Sequence, residues 1–104
     1  MTKNTTRLPV PTEYFILLAL AKGPAHGSGI AQQIIADTVG WGYPAKTSLY
    51  RELKQLEAAG MVRTSGERNW ERTYSITLKG INILTMHTKV LLMVAQTARQ
   101  RTRI

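Results

Sequence analysis

The stretch Lys46-Thr47-Ser48-Leu49-Tyr50-Arg51-Glu52-Leu53-Lys54-Gln55-Leu56-Glu57-Ala58-Ala59-Gly60 decides how the chain folds. Leu49, Leu53 and Leu56 recur at three- and four-residue spacing on one side of a helix, while Thr47, Ser48, Arg51, Lys54 and Gln55 fall on the other. Gly60 closes it as a left-handed C-terminal cap. The pattern predicts a helix from Lys46 to Ala59 whose leucines anchor it to a core and whose hydroxyls and cations face away.

Upstream, Gly40-Trp41-Gly42-Tyr43-Pro44 is incompatible with continued helix and marks a loop with two aromatic anchors. Before it, Ser28 to about Val39 is amphipathic, with Ile30, Ile34 and Ile35 inward and Gln32, Gln33 and Asp37 outward. Earlier still, Glu13 to Lys22 is almost wholly apolar, with Thr12 placed to cap it and Gly23-Pro24 to end it. Residues 1–11, with Lys3, Arg7, Pro9 and Pro11, read as an extended arm. Three helices within about fifty residues, joined by tight turns, match a helix-turn-helix core.

Downstream, Met61-Val62-Arg63-Thr64 and Thr73-Tyr74-Ser75-Ile76 are short β-branched and aromatic runs, and Gly66 and Asn69 between them favour a hairpin, the wing. From Leu78 nearly to the C-terminus there is no proline and one glycine, which predicts a helix of about 20 residues. The expected fold is mainly α with a small β-hairpin: an arm over 1–11, a winged helix-turn-helix domain over 12–77 and a long C-terminal dimerisation helix over 78–104. In that last helix Ile81, Leu84, His87 or Thr88, Leu91, Val94 or Ala95, and Ala98 form an apolar stripe that Ile83, Met86, Val90 and Met93 widen beyond what a lone surface helix needs. The same helix of a second copy is its expected cover, with Ile83, Leu84, His87, Val90, Leu91 and Val94 at the interface.

The 104 residues carry 14 Lys and Arg against six Asp and Glu, a net charge of +8, and no acid follows Glu71. Such a field favours a polyanionic partner. There is no cysteine, and His26 and His87 are too few for a metal cluster, so neither metal nor cofactor is expected. No phosphate loop, hydrolase elbow or paired carboxylate with a nearby base occurs, which argues against an enzyme. The apolar runs Phe15 to Ala21 and Val90 to Ala95 fall short of the roughly 18 to 20 residues a membrane span needs. Met1 to Arg7 does not resemble a secretory signal, so a cytoplasmic protein with no membrane partner is expected.

Reading base edges in the major groove of double-stranded DNA needs short polar groups and cations near the N-terminus of an inserted helix. Lys46, Thr47, Ser48, Arg51 and Lys54 meet that description. Arg63, Arg68, Asn69 and Arg72 on the hairpin would add salt-dependent contacts to the backbone or the minor groove. The competing readings are a merely solvated helix face, a winged adaptor gripping an acidic protein and, less well matched, a basic helix lying on a membrane. His26 is expected to stabilise its turn, Trp41 and Trp70 to serve as loop and wing-tip residues, and Arg99, Arg101 and Arg103 to favour the last helical turn.

Leu17-Leu18-Ala19-Leu20, Gly23-Pro24-Ala25-His26-Gly27, Ser48-Leu49-Tyr50 with Leu53, Leu56, Glu57 and Gly60, and Arg72-Thr73-Tyr74-Ser75-Ile76-Thr77 with Gly80 resemble the PadR family of bacterial repressors over about residues 12 to 85. The resemblance implies a homodimer joined by its C-terminal helices on a palindromic operator, with Tyr50 contacting a backbone phosphate. A single C-terminal helix resembles the family's short subgroup, whose members can bind flat hydrophobic molecules between the dimer helices, so a small hydrophobic effector is a candidate partner, against the reading of the stripe Leu84, Met86, Leu91, Leu92 and Met93 as packing alone. Ser28 replaces the usual aromatic residue after His-Gly, and Thr47-Ser48 replaces the usual Gly-Thr.

Overall fold

Ile16, Leu17, Ala19 and Leu20 make three sides of the first helix, α1 (Thr12–Ala21), apolar and buried, so it becomes the core around which the other elements pack. The computed structural model describes residues 12–42, 45–68 and 71–103. The arm at 1–11 and the residues Tyr43, Pro44, Asn69 and Trp70 lie outside them. After α1 come α2 (Gly27–Asp37), α3 (Lys46–Ala58), β1 (Val62–Ser65), β2 (Thr73–Ile76) and α4 (Leu78–Arg101).

Ile30 and Ile34 of α2 and Leu49, Leu53 and Leu56 of α3 meet α1 in one cluster, joined by Val62, Tyr74 and Leu84. Removing that much apolar surface from water is the main force holding three short helices together. Ile35, expected inward, is only half-buried.

Helix ends follow the local chemistry. At the end of α3, Gly60 sits at φ +80°, Met61 N–H donates to the Leu56 carbonyl at 2.9 Å, and Gly60 N–H donates to that of Glu57 at 3.0 Å. This is the Schellman arrangement, and it delivers the chain into β1. At the end of α2 the same arrangement falls on a β-branched residue: Val39 takes φ +54°, and Gly40 N–H donates to Ile35 at 2.8 Å. The helix therefore stops at Asp37, two residues before the apolar pattern ends, and Val39 is left strained and exposed. Trp41, expected as a loop anchor, is half-exposed.

β1 and β2 pair antiparallel with Val62 opposite Ile76 and Thr64 opposite Tyr74, and Ala25 adds a single bridge to Tyr74 on the other edge of β2. α4 starts where Thr77 caps it by accepting from Gly80 N–H at 3.1 Å. Lys79 Nζ donates to the Ala59 carbonyl at 2.7 Å and Thr77 Oγ1 to that of Gly60 at 2.6 Å, so the start of α4 satisfies the open carbonyls at the end of α3.

The first half of α4 lies against α1. Tyr14 Oη and Thr88 Oγ1 are hydrogen-bonded at 2.8 Å, and the Tyr14 ring meets His87 edge-on at 4.9 Å. Every described residue from Lys89 onward is exposed, so the second half projects about 20 Å beyond the core. The Cα radius of gyration reflects this, at 15.0 Å against about 13 Å for a compact chain of this size. By length and composition α4 is also apolar enough to cross a membrane. Counting uninterrupted apolar runs hides this because Thr85, His87, Thr88 and Lys89 break them.

Gly80 lies where a side chain has no room: a Cβ there would run into the Met61 carbonyl oxygen and Ile76 Cγ1. Helix propensity alone favours alanine over glycine by about 1 kcal/mol. Gly80→Ala is nevertheless expected to destabilise the protein by about 1–3 kcal/mol, as overpacking does. Urea unfolding checks this, and a more stable variant would show that the contact yields easily.

Candidate nucleic-acid interface

The sequence of α3 alternates leucines with polar residues at helical spacing, so burying Leu49, Leu53 and Leu56 leaves the opposite side outward. Lys46, Thr47, Arg51, Lys54 and Gln55 are exposed, Tyr50 is 40% exposed and Ser48 is half-buried. An open groove of about 430 Å³ runs between α3 and the wing, lined by Tyr50, Arg51, Lys54, Glu57 and Arg72. Of the ten residues expected to contact DNA, four are thereby brought together: Tyr50, Arg51, Lys54 and Arg72.

The others are placed differently. Lys46, Thr47 and Ser48 occupy the first turn of α3. Arg63 pairs with Ser75, on the face of the hairpin opposite Thr64 and Tyr74, and so points away from the α3 side. Arg68 is exposed near the wing tip, and Asn69 lies outside the described residues. Glu57, absent from the residues expected to contact DNA, lines the groove with the cations. Its spacing of three residues from Lys54 and seven from Tyr50 carried that information.

The turn before α2 holds the groove's two walls. Ala25 N–H donates to the Tyr74 carbonyl at 3.1 Å, and Tyr74 N–H donates to that of Ala25 at 2.9 Å. His26 precedes α2 at its N-cap without capping it; instead its Nδ1–H donates to the Arg72 carbonyl at 2.8 Å. Gly27 is buried under Tyr50, whose ring and hydroxyl occupy the space a Cβ would need.

Electrostatics are uneven across the site. Burial raises the Glu13 carboxyl above the ordinary glutamate value, reinforced by a hydrogen bond to Glu52 and by repulsion from it. Glu52 also lies 3.9 Å from Arg51 Nη2, a largely exposed contact that contributes little. Burial pushes the Tyr74 phenol up, and the Arg72 guanidinium beside it opposes that shift. Arg72 Nε and Thr64 Oγ1 are buried without hydrogen-bond partners. Among the described residues no group of three or more His, Cys, Asp or Glu could hold a metal ion.

For the expected dimer residues, the protomer's own core takes Leu84, which is buried, and draws in Ile83, which packs against it. His87 is exposed but occupied by Tyr14, whereas Val90, Leu91 and Val94 are exposed beyond the packed half of α4.

A three-helix core, a two-stranded wing and an outward polar face on the third helix define a winged helix-turn-helix transcription regulator. Residues 16–85 match the model of the transcriptional regulator PadR-like family, and the chain belongs to that family. The fold is similar to that of a transcriptional regulator from Clostridium thermocellum (TM-score 0.80, 22% identity, 88% of this chain and 90% of that one covered). A PadR family transcription regulator from Clostridium difficile R20291 is also similar (TM-score 0.74, 17% identity, 86% and 95% covered). So is Bordetella bronchiseptica BpsR (TM-score 0.70, 12% identity, 86% and 61% covered), described in terms of regulation of its DNA binding by 6-hydroxynicotinic acid. Comparison with curated protein sequences gave no match.

Two outcomes follow from this geometry. Gly27→Ala is expected to displace the Tyr50 ring and to lower stability by about 1–3 kcal/mol; an unshifted Tyr50 ring in the variant's NMR spectrum would contradict the contact. Because the folded pKa of Glu13 is raised, its contribution to stability is present below the unfolded value and is lost as pH rises through the folded one. Glu13→Gln should therefore be more stable than the parent at pH 7 and lose part of the parent's gain on mild acidification, which melting temperatures between pH 4 and 7 would read.

Proposed function

We propose that the chain is a homodimeric repressor that binds a palindromic operator in double-stranded DNA, with α3 in the major groove and the wing beside it. The observation that carries this reading is the groove that sets Tyr50, Arg51 and Lys54 of α3 against Arg72 of the wing. Lys46, Thr47, Ser48 and Arg51 are the candidate base readers, Tyr50 and Lys54 the candidate phosphate contacts, and Arg63, Arg68, Asn69 and Arg72 the wing's share. Family membership supports DNA binding and transcription regulation, and with it a site of action in the cytoplasm.

The dimer rests on the exposed apolar residues of α4, among them Val90, Leu92, Met93 and Val94. Paired α4 helices would cover them and place two recognition helices on half-sites one helical turn apart, about 34 Å. A small flat hydrophobic effector seated between those helices is the proposed release signal, and the adaptable side chains of Met86 and Met93 suit such a ligand. The description of BpsR offers a parallel for effector control in a protein of related fold.

Selection of bound duplexes from a random pool tests the reading, with a palindrome as the expected winner. On that duplex Arg51→Ala and Lys54→Ala should each weaken binding about tenfold or more while changing stability by less than about 0.5 kcal/mol. Unchanged affinity in both variants would remove α3 as the reading element. Tight binding to an acidic protein, with no salt-sensitive affinity for duplex DNA, would favour the adaptor instead.

A further inference from the structure

His26 has a side-chain assignment that its position does not require. At the N-cap of α2 a polar side chain ordinarily accepts from the first helical N–H groups, and His26 makes no such bond. Its ring turns to the wing, where Nδ1–H donates to the backbone carbonyl of Arg72 at 2.8 Å, across 46 residues of sequence. That bond fixes the proton on Nδ1. The paired Ala25 and Tyr74 hydrogen bonds of 3.1 and 2.9 Å lie two residues further along the wing, so the Arg72 carbonyl is held to the same turn that β2 is tied to.

The Arg72 side chain lines the groove with Tyr50, Arg51 and Lys54, while its Nε is buried and its guanidinium is hydrogen-bonded to the Tyr74 phenol. The fold thus ties this residue's carbonyl to the turn and its guanidinium to Tyr74 while keeping the side chain on the open groove, an arrangement that presents a pre-positioned cation to an external anion.

We infer that His26 is a positioning residue for DNA binding: it latches the turn before α2 to the wing and sets Arg72 at the spacing from α3 that lets both contact one duplex. The inference rests on the DNA-binding reading above. Without the latch the wing strand would begin at a free backbone carbonyl, and the main chain that carries Arg72 would lose its tie to the turn before α2. Ordering Arg72 on a phosphate would then cost entropy that the folded protein now spends in advance.

The test uses the full chain, its selected duplex and a salt titration. Arg72→Ala should reduce the slope of log affinity against log salt by about 0.9, the signature of one lost phosphate contact. His26→Ala should reproduce most of that loss in slope and weaken binding about tenfold. The double variant should bind no worse than Arg72→Ala alone, because the latch acts through Arg72. His26→Asn, whose amide can donate at a position like that of Nδ1, should recover most of the affinity, and melting temperatures identify any variant that fails to fold. An effect of His26→Ala that leaves the slope unchanged, or adds in full to that of Arg72→Ala, overturns the inference while leaving DNA binding intact. Absence of salt-sensitive duplex binding by the unaltered chain overturns the DNA reading first and the inference with it.

Discussion

Three consecutive residues set the geometry on which the interface depends. Ala25 exchanges two backbone hydrogen bonds with Tyr74, His26 donates to the Arg72 carbonyl, and Gly27 admits the Tyr50 ring. A wing of two four-residue strands has too little apolar surface to hold a fixed orientation by itself. The Ala25 bridge gives β2 a partner on its second edge, and Tyr74 drives the same strand into the core. The wing is therefore fixed to the α1–α2 turn rather than to its own hairpin, and α3 is fixed to that turn through Tyr50. Both walls of the groove take their position from one short loop.

The two halves of α4 answer to different constraints. From Leu78 to Thr88 the helix belongs to the domain: Lys79 and Thr77 satisfy the end of α3, Leu84 enters the core, and Tyr14 holds Thr88. From Lys89 onward every described residue is exposed, yet this half keeps an apolar composition that water penalises. An isolated helix of this length is marginal, so the projecting half draws its order from continuity with the packed half. Any occupant that covered Val90, Leu92, Met93 and Val94 would add to the stability of the whole protein by linkage.

Much of this arrangement is legible in the amino-acid sequence because it follows from periodicity. The leucine spacing of α3, the cap at Gly60, the hairpin and the long last helix are local signals, and the helical face of α3 is readable residue by residue. What escaped are features that depend on which distant element comes alongside. The latch from His26 to Arg72 spans 46 residues, and no local pattern reports it. Leu84 reads as part of the same stripe as Leu91, and only the position of α1 assigns one to the core and leaves the other exposed. Arg63 reads as one more wing cation, and strand alternation in the actual register turns it to the far face. At Val39 periodicity gives the wrong helix end, because the chain closes α2 with a left-handed residue chosen by the loop that follows rather than by its own preference.

Charge placement around α3 adds a further constraint. A net charge of +8 would bind any polyanion if the cations were spread evenly and unopposed. Instead Glu57 sits in the groove with Arg51, Lys54 and Arg72, and Glu52, which interacts with Glu13, lies 3.9 Å from Arg51. Acids so placed weaken the long-range attraction of the site for phosphate in general. Under the proposed docking, a duplex whose backbone met Arg72 and Lys54 while avoiding Glu57 would gain the attraction and escape the repulsion, and one in another register would not. A rigid relation between α3 and the wing is what lets so small a difference in position matter, because a mobile arginine would find a phosphate in either register. In the proposed complex, local acids and a restrained wing would convert a general affinity for anions into a preference for one docking geometry.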